Sequence, residues 1–90
     1  MENRNKILQA LHTQIDKVRL LEKLNQLNTH SINKNQKLAE MNIFFHQTLE
    51  RDQLDVKELQ RLYLGLKLSM DRQNQALTEL EELIKEVIKN

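Results

Sequence analysis

Three histidines, two serines and five arginines are the side chains from which catalysis or metal binding would have to be built in this 90-residue chain. A metal centre needs ligands that converge on one ion, and histidines on a helix do so when they stand about a turn apart. His12, His30 and His46 are widely separated, so the reading is of solvated or capping histidines and no metal. Covalent catalysis needs an activated nucleophile, but no nucleophile-elbow sequence surrounds Ser31 or Ser69, and neither has a recognisable base. Arg4, Arg19, Arg51, Arg61 and Arg72 are too scattered to converge on a dicarboxylate. A single glycine, Gly65, rules out a glycine-rich phosphate loop. The expectation is a non-enzymatic protein without a cofactor.

The elements that would carry such groups are helical. There is no proline, and neither an alternating β-branched run nor an Asn-Gly or Asp-Gly turn. Ninety residues make one domain, near the small end for a chain with its own core. The net charge of +1 gives no reason to expect nucleic acid or an anionic membrane, although it is unevenly spread. Residues 1–37 hold seven Lys/Arg against three Asp/Glu, and residues 38–90 hold seven against ten. With no cysteine there is no disulfide framework. No apolar run approaches the roughly 20 residues of a membrane span, and MENRNKIL lacks the apolar stretch of a signal peptide. A cytoplasmic location is the default expectation.

In the second half, Val56, Leu59, Tyr63, Leu66 and Met70 begin a run in alternating steps of three and four. It continues through Gln73, Leu77, Leu80, Ile84 and Val87, with Gln73 its only polar member. Leu62, Ala76 and Leu83 sit one residue earlier than three of these positions and widen the stripe. Asp55 with Glu58 has a capping-box-like arrangement at the start. In the first half the same alternation runs from Leu20, Leu24 and Leu27 to Leu38, Met41 and Phe45. It keeps phase through the polar stretch NTHSINKN, residues 28–35, where Ser31 and Lys34 occupy seam positions. That stretch reads as a helical polar layer; a short break there would instead give a three-helix bundle.

Folding the chain back near residues 50–54 gives an all-α antiparallel helical hairpin. Its helices cover about residues 3–49 and 55–89 of a single 1–90 domain, with partners whose numbers add to about 104. Ser31 then falls opposite Gln73, a polar layer of the kind that specifies register. Residues 1–13 overhang by roughly 20 Å. This overhang carries its own stripe, Ile7, Leu8, Leu11 and Ile15, out of phase with the hairpin seam. Phe44 and Phe45 are adjacent and cannot share one narrow face.

A two-helix hairpin of this size buries little, so dimerisation into a helical bundle is expected. The predicted function is a protein–protein interaction module, such as a small chaperone, adaptor or regulatory or structural subunit working by coiled-coil-like packing. Its expected interface is Ile7, Leu8, Leu11 and Ile15 with Leu62 and Leu83, and its partner a protein or a second copy. An alternative is a dimeric RNA- or DNA-binding regulator; the chain resembles the Rop-like plasmid-copy-control proteins in architecture, with no motif carried over. Arg4, Lys6, Lys17, Arg19 and Lys23 would then meet phosphates.

Overall fold

The structure is a computed structural model that describes residues 2–89. Two helices, α1 (Glu2–Glu50) and α2 (Val56–Lys89), pack against each other as an antiparallel hairpin. The described residues contain no strand. The rod measures 78 × 15 × 14 Å. At 1.5 Å per residue α1 alone accounts for about 74 Å of that length and α2 for about 51 Å. The difference is an overhang at the start of α1, where residues 3–15 are all exposed.

The polar run does not interrupt α1. The hydroxyls that compete with helix hydrogen bonding are absorbed by it: Thr29 Oγ1 donates to the Asn25 carbonyl and Ser31 Oγ to that of Leu27, at 3.0 and 2.9 Å. Thr13 and Thr48 do the same. After Glu50 the chain turns with Arg51 N–H donating to the Thr48 carbonyl at 3.1 Å. Asp55 then starts α2, its Oδ1 accepting from Glu58 N–H at 3.1 Å. Glu58 does not reach back as a capping box would; its carboxylate is engaged by Arg61, whose Nε donates at 2.9 Å.

The register is the one expected. Gln73 Nε2 donates to Ser31 Oγ at 2.9 Å, Arg19 meets Glu86, and Lys23 meets Glu79. The seam, however, lies one residue away from the expected one at alternate positions. In α2 the inward column is Leu62, Ser69, Ala76 and Leu83, not Tyr63, Met70, Leu77 and Ile84. In α1 it is Lys23, His30, Lys37 and Phe44, not Leu24, Leu38 and Phe45, whereas Ser31 stays half-buried against Gln73 as expected. Leu20, Leu27, Met41, Leu59, Leu66 and Leu80 keep their expected places. The reason is fit between long and small. Lys37 lies along Gly65, its Cδ 3.6 Å from where a β-carbon would stand. Its long polar stem covers the small residue of α2 and carries its charge out to the side.

Candidate protein-interaction surface

With the seam located, the rod has two unlike flanks. An antiparallel partner runs in reverse, so the residue before each first seam position meets its counterpart on one side of the hairpin. The residue after each second seam position meets its counterpart on the other side. The first flank is charged and polar. Arg19 Nη2 lies 3.4 Å from Glu86 Oε2, Lys23 Nζ lies 3.2 Å from Glu79 Oε2, and Lys37 reaches Glu40 at 3.6 Å. Farther along the same side, Glu58 and Arg61 form the tightest ion pair of the described residues. The guanidinium holds the Glu58 carboxyl below its usual 4.5, and the carboxylate raises Arg61.

The opposite flank is different in kind. From α2 it presents Val56, Tyr63, Met70, Leu77 and Ile84 at seven-residue intervals, all exposed. From α1 it presents Leu24, Leu38 and Phe45, also exposed, with Ser31 completing that column. Just outside lies a further column, Leu21, Asn28, Asn35, Asn42 and Leu49. Together the two α1 columns run in steps of three and four from Leu21 to Leu49 without a single charged residue. An open groove between Leu24, Leu27, Asn28 and Ser31 belongs to this side. On α2 three largely apolar columns, two facing α1 and one beside them, are the pattern of a helix packed in a bundle.

The expected interface residues separate into two groups. Ile7, Leu8, Leu11 and Ile15 are between 48% and 61% exposed, on the overhang, and Val18 continues their stripe. Ile7, Leu8 and Leu11 lie beyond the end of α2, while Ile15 borders an open groove with Glu86 and Val87. Leu62 and Leu83 are 4% and 5% exposed, inside the hairpin, and cannot meet a partner while it stays closed. They correct the sequence reading: the stripe is wide as expected, but its outward column is the one containing Leu77. The aromatic pair divides as its adjacency required. Phe44 faces the seam and Phe45 the uncharged flank, with ring centroids 5.8 Å apart. The flank residues are legible as apolar in the sequence, but spacing alone places them in the seam. The signal that identifies them is the uncharged stretch on α1.

His12 and His46 each have a carboxylate one turn on, Asp16 and Glu50. Among the described residues no three potential ligands gather into a metal-binding group. Nor is any helix of the described residues long and apolar enough to cross a membrane. Comparison with known proteins finds no matching family model, no matching curated protein and no matching solved structure.

Proposed function

We propose that this protein is a non-enzymatic helix-packing module, which works by seating another helical surface against its uncharged flank. Small chaperones, adaptors and structural or regulatory subunits of larger assemblies work in this way. The observation that carries the reading is the imbalance of burial. Among the described residues only Leu62, Ala76 and Leu83 are buried, whereas twenty-one large apolar side chains are exposed. Ordering a residue costs roughly 1–2 kcal/mol of backbone entropy, and so small a core does not offset that over two long helices. Much of the missing burial must come from another surface.

Basic residues support the nucleic-acid alternative poorly. Arg19 and Lys23 lie against Glu86 and Glu79, which offset their charge before a phosphate could. The test of the interaction reading is the solution mass by light scattering, with helicity and melting followed over a wide concentration range. Self-association with a melting temperature that rises with concentration is expected. A monomer whose cooperative melt ignores concentration would overturn self-association.

A further inference from the structure

We infer that the occupant of the uncharged flank is a second copy of this chain, laid antiparallel about a two-fold axis that crosses the rod level with Asn35 and Met70. This rests on the flank being an interaction surface, and it names the partner and the symmetry.

The outer α1 column of the flank reads the same from both ends, and the inner one does so except that Ser31 answers to Leu38. Leucines stand at Leu21 and Leu24, Phe45 and Leu49 stand at the far end, and Asn28 and Asn42 are equally distant from Asn35. An identical helix reversed over it brings Leu21 to Leu49, Asn28 to Asn42 and Asn35 to itself, with Leu24 within one residue of Phe45. A carboxamide carries both donors and an acceptor, so each asparagine rung can satisfy its own copy. The α2 part has its own centre: reversal about Met70 brings Val56 to Ile84 and Tyr63 to Leu77.

A single axis can serve both helices only if the two centres are at one height. They are. The Ser31–Gln73 hydrogen bond and the Lys37–Gly65 contact bracket the level at which Asn35 stands beside Met70. Two-fold dimers need a self-complementary patch of this kind. An axis running along the rod would instead set α1 against the partner's α2. That arrangement would set the asparagines against Gln60, Lys67 and Asn74 at the outer margin of α2 and would make no use of the matched ends of either helix.

The size is adequate. From Val56 to Ile84 the flank is about 42 Å long at the helical rise. With a width of 15 Å, its flat footprint approaches the roughly 800 Å² per partner of a standard interface, before corrugation is added. Its charges are one of each sign, Lys67 and Glu81 at the outer margin of α2.

The chain has no cysteine, so single substitutions report proximity cleanly. Asn35→Cys and Met70→Cys should each double the mass under denaturing, non-reducing conditions after mild oxidation. Asn28→Cys should do so only when mixed with Asn42→Cys, and Gln26→Cys, on the charged flank, should remain single. Both on-axis positions are exposed within the hairpin, so failure of one variant to fold leaves the other as the test. Suppose light scattering finds a dimer but only a mixture of Asn35→Cys with Met70→Cys cross-links. The axis then runs along the rod, and this arrangement is wrong while self-association stands. A dimer in which none of these pairs cross-links also overturns it. A monomer at every concentration overturns both the arrangement and self-association.

Discussion

Ala76 is turned into the hairpin at 4% exposure, while its neighbour Leu77, much the larger apolar side chain, is left 52% exposed. The inner place thus goes to the smaller residue. Leu77 thereby becomes available to a partner. Leu77→Ala should cost the isolated hairpin little and should weaken self-association, read as a dissociation constant raised severalfold. Leu83→Ala removes a side chain buried in the hairpin itself and should cost about 2–5 kcal/mol, seen as lost helicity even in dilute solution.

How far this was legible in the sequence is clear from the same pair. The two long helices, the turn, the passage of α1 through residues 28–35 and the pairing of Ser31 with Gln73 all follow from hydrophobic spacing. Spacing alone does not separate the Ala76 column from the Leu77 column, because both repeat every seven residues. The placement goes with fit between α1 and α2, as where the Lys37 stem lies over Gly65. A sequence pattern that ranks residues by hydropathy favours Leu77 and misses it. The overhanging stripe from Ile7 to Ile15 was legible because its phase disagrees with the seam.

The Ser31–Gln73 hydrogen bond joins the helices near their midpoint. Ser31→Ala leaves the Gln73 amide without that partner and should lower stability by about 0.5–1.5 kcal/mol. A double-mutant cycle with Gln73→Ala in denaturant titrations would isolate the coupling. Additive single effects would mean that the bond does not contribute.

Gly65 sits inside α2 with ordinary van der Waals room for a β-carbon. Gly65→Ala should therefore gain the helix-propensity difference, up to about 1 kcal/mol, and raise the melting temperature. A fall would mean that the Lys37 stem cannot give way.

At the start of α2, Asp55→Ala removes the acceptor for Glu58 N–H and should cost about 1 kcal/mol, whereas Asp55→Asn should retain most of it. The neighbouring ion pair adds a pH dependence. Glu58 has a folded pKa below its usual 4.5, so its contribution is present above that value and is lost as pH falls through the lowered one. A shallow loss of stability on acidification, reduced by Arg61→Gln, is the expected result. The pair lies at the surface, so salt should weaken it.

The unbroken course of α1 also makes the overhang behave like the hand of a dial. Because no turn separates Ile15 from Leu20, the compass direction of the arm's apolar stripe is set by counting residues along one helix. One residue inserted there would swing the stripe by about 100° around the rod, whereas four in all would leave it about 40° from home and seven about 20°. Whatever meets the arm therefore meets it at an angle fixed relative to the flank. Changes in length between the two would be tolerated only in helical turns.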